Sequence, residues 1–180
     1  MDRVCQHKHQ QYKIMSTLLY YSYGSNMSTP RLLKRTPSAK PVSIAYLNKH
    51  KLKFHKISKY GSGKCDIEFT NHPGDVVIGV LYEINPGEVS ILDKIEGLGN
   101  GYGKKSVSVV IQNGKTVNAV TYYATKIDDS LKPYHWYKEH VIRGAREHNL
   151  PGEYIKSIES VESIPDPDPD NHEKELLIYR

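Results

Sequence analysis

The stretch Tyr20-Tyr21-Ser22-Tyr23-Gly24-Ser25-Asn26-Met27 decides the reading of this chain. It predicts a β-strand, Leu18 to Tyr23, that runs into a Gly-Ser-Asn turn. A helix start follows at once, with Ser28 or Thr29 as N-cap and Pro30 at the first helical position. Such a turn gathers free backbone N–H groups at the positive end of a helix. It can hold a carboxylate, or an oxyanion that forms during a reaction. By itself Gly-Ser-Asn is also an ordinary turn.

Working outward, the predicted strands are Val42–Leu47, Lys51–Ile57, Asp66–Thr70 and Val76–Ile84, then Ser106–Ile111 and Thr116–Thr125. Asn113-Gly114 joins the last two, the strongest short hairpin signal. A short helix runs from Pro30 to about Arg35 and stops at Thr36-Pro37. A second runs from Pro86 to about Glu96, and a longer one from Pro133 to His148, ended by Asn149 and Pro151. Tyr154, Ile158 and Val161 recur at helical spacing. Many strands, few helices and several antiparallel signals argue α+β: a closed or partly closed sheet with helices packed on one side. The expected organisation is a polar tail over 1–16, one domain over 17–162, and a Pro/Asp-rich connector with a C-terminal segment over 163–180. Pro165-Asp166-Pro167-Asp168-Pro169-Asp170 reads as a stiff, extended connector rather than helix or central strand. Leu176-Leu177-Ile178-Tyr179 reads as a final docking strand.

A length of 180 residues suits one domain. Fourteen Tyr against two Phe and one Trp predict buried hydroxyls that need partners. No apolar run is long enough to span a membrane. Leu18-Leu19-Tyr20-Tyr21 is too short and too far in for a signal peptide. Two cysteines, Cys5 and Cys65, make no disulfide framework and fit a reducing, cytoplasmic setting. Cys65 has no activating base beside it and reads as a buried thiol. His7 and His9 on the tail are poor evidence for a metal site. The net charge of +5 concentrates between Lys40 and Lys64. That excess could attract nucleic acid or small anions. The alternation of Leu52 and Phe54 with Lys51, Lys53 and His55 instead favours the solvated face of a strand, with no aromatic stacking series for nucleic acid.

One carboxylate stands out. Asn85-Pro86-Gly87-Glu88 is a helix entry, with Asn85 as N-cap and Glu88 placed for a capping box. The apolar stripe is Val89, Ile91, Leu92 and Ile95, and Glu96 falls on its edge. Gly97 ends the helix at C′. Partial burial and the negative end of the helix dipole would both raise the pKa of Glu96, which suits a proton acceptor and donor. A solvent-exposed Glu at a frayed end is the alternative. Asp93 and Glu83 are weaker candidates.

Four separated pieces together resemble the γ-glutamylcyclotransferase family: Tyr-x-Tyr-Gly-Ser-Asn-Met at 21–27, Leu-Asp-x-x-Glu-Gly at 92–97, Gly101-Tyr102 before a strand, and Tyr137 followed by Gly144-Ala145-Arg146-Glu147-His148-Asn149-Leu150-Pro151. The resemblance covers about Leu18 to Tyr154. It implies a small mixed β-barrel with flanking helices. It also implies an enzyme that releases 5-oxoproline and a free amine or amino acid from a γ-glutamyl substrate, with no metal or organic cofactor. By resemblance, Glu96 is the general acid/base. Tyr23, Gly24, Ser25 and Asn26 hold the α-carboxylate and carbonyl oxygen through backbone N–H groups, and Tyr102 and Tyr137 line the pocket. The expected partner is a small γ-glutamyl molecule, with no nucleic acid and no membrane. The family's Pro-Ser-x-x-Tyr is Pro133-Tyr134-His135-Trp136-Tyr137 here, which puts leaving-group specificity in question and raises His135 and Trp136 as contacts to the leaving amine, against a packing role for Trp136. The runner-up is a non-catalytic binding module that uses the basic Lys40–Lys64 face for an acidic partner. A third reading keeps catalysis but assigns a γ-glutamyl intermediate of a dedicated pathway. Sequence leaves the γ-glutamyl substrate, glutathione included, and the oligomeric state, a homodimer included, open.

Overall fold

The computed structural model describes residues 17–180. Sequence expectations for the 1–16 tail, including Cys5, His7 and His9, lie outside the described residues. Seven strands and five α-helices follow in order: β1 (Leu18–Ser22), α1 (Thr29–Leu33), β2 (Lys40–Asn48), β3 (His50–Ile57), β4 (Gly63–Phe69), β5 (Val76–Ile84), α2 (Val89–Glu96), β6 (Tyr102–Ile111), β7 (Thr116–Ala124), α3 (His135–Glu147), α4 (Gly152–Glu159) and α5 (Pro169–Leu176). A 3₁₀ turn, Ser25–Met27, joins β1 to α1. Five strands close a barrel in the order β1-β5-β2-β6-β7. The β1–β7 pairing is parallel and the other pairings in the barrel are antiparallel, so the barrel is mixed as expected. β3 and β4 form a separate hairpin.

Closure needs close backbone approach. A Cβ at Gly79 on β5 would stand 2.3 Å from the Ser22 carbonyl oxygen, so only glycine lets β1 and β5 meet there. The β6–β7 hairpin turns at Gly114, at φ 83°, beside Asn113, whose Oδ1 accepts from the Lys115 N–H at 2.9 Å. Tyrosines carry much of the core, and several of their hydroxyls find partners: Tyr21 donates to the Val77 carbonyl and Tyr82 to the Met27 carbonyl, whereas the Tyr154 hydroxyl is buried without one among the described residues.

Three expectations are corrected. First, β3 does not keep one basic outer face. A register shift between Lys53 and Lys56 breaks the two-residue alternation, as a bulge does, so Phe54, His55 and Lys56 are all buried. Second, α2 buries Leu92 alone, while Ile91 and Ile95 are exposed. Glu88 makes no capping box; its Oε2 instead accepts from Ser38 Oγ at 2.7 Å, tying α2 to the loop after α1.

Third, the Pro/Asp segment enters a helix, and the chain ends in a 3₁₀ turn rather than a strand. Asp168 caps α5, accepting from the Asp170 and Asn171 N–H groups, and Pro169 sits at the first helical position, where it costs no hydrogen bond. Asp166 anchors the approach, accepting from Trp136 Nε1 at 2.7 Å.

The C-terminal segment docks through ionisable groups. Arg31 Nη1 donates to Glu175 at 2.7 Å and lies 2.9 Å from His140 Nε2. Tyr179 lies 2.7 Å from His140 Nδ1 and donates to Ser28 Oγ. Burial pushes His140 down to about 4. The hydrogen bond from His140, and then Arg31, hold Glu175 down at about 2. Both shifts make the folded state bind fewer protons than the unfolded chain. The His140 contribution is therefore lost as pH falls from about 6.5 towards 4, and the Glu175 contribution as it falls from 4.5 towards 2. The hydrogen-exchange protection factors over α5 should fall across that acid range before the barrel opens. Equal protection of α5 and β5 down to global unfolding would contradict this.

Candidate active site

The turn after β1 sits at one mouth of the barrel, and β4, α2, β6, β7 and α3 bring side chains to it. Tyr20, Ser22, Tyr23, Gly24, Ser25, Asn26, Cys65, Glu96, Tyr102, Tyr122 and Tyr137 border a recess of about 30 Å³. All seven residues singled out from the sequence thus meet around one recess. Ser25 and Asn26 begin the 3₁₀ turn, where N–H groups have no intrahelical partner. The N–H of Met27 is already spent on the Gly24 carbonyl at 2.9 Å. Gly24 is packed closely: a Cβ there would lie 3.0 Å from Cys65 Cβ and 3.5 Å from the Tyr137 hydroxyl.

Glu96 is the last residue of α2. Gly97 follows in the left-handed region, at φ 72°, which turns the chain away and leaves the Glu96 side chain facing the turn after β1. Its Oε1 accepts from Asn26 Nδ2 at 2.8 Å and from Arg35 Nη1 at 2.9 Å. Arg35 also donates to Asn26 Oδ1 at 2.8 Å, so the three side chains form a closed triangle. The pair is largely shielded, at 16% side-chain exposure for Glu96 and 19% for Arg35. Tyr20 completes the set by accepting from Asn26 Nδ2 at 3.0 Å, and burial raises its pKa.

The tyrosines form a braced wall. Tyr102 donates to the Cys65 carbonyl at 2.7 Å. The Tyr137 hydroxyl accepts from the Cys65 N–H at 3.0 Å. Tyr23 donates to the Tyr122 carbonyl at 2.7 Å. No hydrogen bond joins Tyr102 or Tyr137 to Glu96 in this geometry; Asn26 and Arg35 take that place. Burial pushes the Cys65 thiol up to about 12, so Cys65 is a neutral wall residue, as its sequence context indicates. Ser22 Oγ is buried without a hydrogen-bond partner among the described residues. Asp93 is committed elsewhere, to Lys104 at 2.7 Å and Tyr122 at 2.6 Å.

Sequence reasoning missed Arg35, Tyr20 and Tyr122. In the sequence Arg35 is only the end of a short helix, and no spacing signal links it to Glu96, 61 residues away. His135 and Trp136 do not reach the recess. Trp136 is buried at 2% exposure and bonded to Asp166, and His135 pairs with Ser163 at 2.8 Å. Tyr134 instead donates to the Tyr60 carbonyl, which braces the β3–β4 turn.

The helix that follows Tyr137 supports the site from behind. Gly144 of α3 lies against the turn after β1. Glu147 accepts from the Thr29 N–H at 3.1 Å, and His148 Nε2 lies 3.0 Å from the Met27 carbonyl. Outside the recess, and sharing Ser25, Glu96, Tyr102 and Tyr137 with it, opens a vestibule of about 440 Å³. That volume suits a small molecule.

Among the described residues no helix is long and apolar enough to cross a membrane. Residues 76–158 match the AIG2-like family. The chain is 38% identical to the γ-glutamylcyclotransferase of Bos taurus over 151 residues, covering 81% of this chain and 79% of that protein. It is 35% identical to the Homo sapiens γ-glutamylcyclotransferase over the same shares. A solved γ-glutamyl cyclotransferase structure superposes with a TM-score of 0.81 at 30% identity, covering 91% of this chain and 99% of that one. With the barrel, the sequence identity and the matching length in agreement, this chain belongs to the γ-glutamylcyclotransferase family.

Proposed function

We propose that the chain converts a γ-glutamyl amine or γ-glutamyl amino acid into 5-oxoproline and the free amine, with Glu96 as general acid/base. The observation that carries this reading is the shielded Glu96 carboxylate, hydrogen-bonded to Asn26 of the very turn whose amides border the recess. The substrate brings its own nucleophile. Its α-amino nitrogen attacks the γ-amide carbonyl carbon, a five-membered ring closes, and the carbonyl oxygen becomes an oxyanion. The amide C–N bond then breaks and the amine leaves with a proton.

Each step needs a group that this site supplies. Among the described residues, both donors to Glu96 use Oε1, which leaves Oε2 for the substrate ammonium. Loss of that proton to Glu96 frees the lone pair for attack, the attacking nitrogen gives up a second proton as the ring closes, and the same carboxyl passes these protons to the leaving nitrogen, which departs as the ammonium while the lactam nitrogen keeps one hydrogen. Ser25 and Asn26 border the recess, and their amides suit the oxyanion. Tyr23, Gly24, Tyr102 and Tyr137 hold the γ-glutamyl part against a wall whose hydroxyls are already fixed, and orientation of a tethered nucleophile does the rest. A protein of two cysteines, the described one a buried neutral thiol, is in keeping with a reducing cytoplasmic setting.

The binding-module reading uses the basic Lys40–Lys64 face for an acidic partner, but Lys56 and Lys64 of that face turn inward to the vestibule. The test is a panel of γ-glutamyl amino acids, γ-glutamyl amines and glutathione, assayed for 5-oxoproline. Release from at least one of them is expected. No release from any would return the chain to the binding-module reading.

A further inference from the structure

The vestibule is far more basic than a site for the γ-glutamyl group needs. Among the described residues, lysines 56, 59, 64, 94 and 126 and arginines 31 and 35 line it, and Glu96 is its one acidic residue. Arg35 is spent on Glu96 and Arg31 on Glu175. None of the five lysines has a carboxylate within ion-pair distance among the described residues. Lys56 Nζ lies 4.6 Å above the Tyr102 ring and Lys64 Nζ 5.6 Å above the Tyr137 ring. Both therefore stand where the recess opens into the vestibule. Lys56 is 7% exposed, an unfavourable place for a cation with no anion beside it. A second observation points the same way. Among the described residues Arg31 Nε is buried without a hydrogen-bond partner, although Arg31 faces the vestibule.

Resting on the proposed cyclisation, we infer that the vestibule receives a leaving amine that carries at least two negative charges. The α-carboxylate and amide of the γ-glutamyl part are placed in the recess, so the component beyond the scissile bond lies between Tyr102 and Tyr137 and against Lys56 and Lys64. A single carboxylate there could neutralise one or two of five lysines. A dicarboxylic amino acid, or one with a phosphate, can span Lys56 and Lys64 on one side and reach Lys59 or Lys126 on the other. Converging like charges repel, and the anion that relieves them gains both affinity and steering.

The inference has a pH signature. Burial, followed by repulsion from Arg31, Arg35 and Lys56, lowers Lys64 to about 8, against the attraction of Glu96. Burial also lowers Lys56, opposed by Glu96 and aided by Lys126. Loss of the Lys64 proton removes attraction, so preference for a dianionic leaving group should decline as pH rises through about 8.

The experiment compares kcat/KM for γ-glutamyl-glutamate, γ-glutamyl-O-phosphoserine, γ-glutamyl-alanine and γ-glutamyl-ethylamide. At least one dianionic substrate should exceed the ethylamide by roughly a hundredfold, about tenfold per charge, and added salt should compress the ratio. Which of the two leads tells carboxylate from phosphate. Lys56→Gln with Lys64→Gln should cut the dianion-to-ethylamide ratio at least tenfold through KM. Lys59→Gln with Lys126→Gln, at exposed positions, should cut it several-fold without risk to folding. Turnover with equal kcat/KM across the panel, or a ratio that none of these variants moves, overturns the inference and leaves the cyclisation standing. If no compound is turned over, calorimetric titration with N-acetylglutamate decides. Binding that the lysine variants weaken tenfold keeps the anion site without the chemistry, and binding that they leave alone removes both.

Discussion

Replacing Glu96 by Gln should lower turnover of a confirmed γ-glutamyl substrate by two to four orders of magnitude, about the range for loss of a positioned general acid/base. The amide keeps the length and one acceptor oxygen, so Asn26 Nδ2 and Arg35 Nη1, at 2.8 and 2.9 Å, retain a partner. What disappears is the proton acceptor. The expected signature is a fall in kcat with KM little changed, because the turn after β1 and the tyrosine wall still bind the γ-glutamyl group. Stability should drop modestly. A carboxylate at a helix C-terminus is unfavourable by itself, but this one compensates Arg35, whose guanidinium is buried and becomes an unmatched charge in the variant. Thermal denaturation beside steady-state kinetics separates the two effects. A Gln variant with near-normal kcat would remove Glu96 from the reaction. A variant with lost turnover and raised KM would mean that Glu96 binds the substrate rather than moving its proton.

The parts of this picture that were legible in the sequence are those governed by local rules. Asn113-Gly114 and the alternation beside it fixed one hairpin, and the run Val76–Ile84 matched β5 residue for residue. The placement of Glu96 against Gly97 is a helix-end rule, and the structure shows that end, with Gly97 in the left-handed region. The turn after β1 was legible as a turn; that it faces Glu96 was not, because 70 residues separate Asn26 from Glu96 and contact across the barrel leaves no period in the chain. Arg35 was invisible for the same reason. The inward lysines were hidden by the β3 bulge, which changes which side chains face inward without any Gly or Pro to announce it. The C-terminal helix departs from the sequence expectation for a different reason. Three Pro in alternation suggest an extended chain, yet Asp168-Pro169 is also a good helix start, and the docking partners that decide between them lie on α1 and α3.

Gly144→Ala should be damaging although the position does not border the recess. Alanine is the better helix former, worth up to about 1 kcal/mol over glycine in a helix interior, so α3 alone would gain. Packing decides the opposite sign. A Cβ at this position would sit 2.5 Å from the Ser28 nitrogen and 2.6 Å from the Met27 carbonyl carbon, and neither is the free end of a flexible side chain. Relief requires α3 and the turn after β1 to separate. Glu147 and His148, a turn further along, hold that same turn through the Thr29 N–H and the Met27 carbonyl, so the strain cannot be shed locally. Overpacking of this kind costs about 1–3 kcal/mol net, and the melting temperature should fall by several degrees for a domain of this size. Activity should fall further than stability explains. The displaced segment carries Ser25 and Asn26, and misplacement of an oxyanion donor by about 1 Å can cost a hundredfold in rate. Kinetics measured well below the melting temperature test this directly. Wild-type kcat in a folded Gly144→Ala protein would show that the turn keeps its geometry without the helix pressed against it, and that the recess is held in place by Glu96, Asn26 and Arg35 alone.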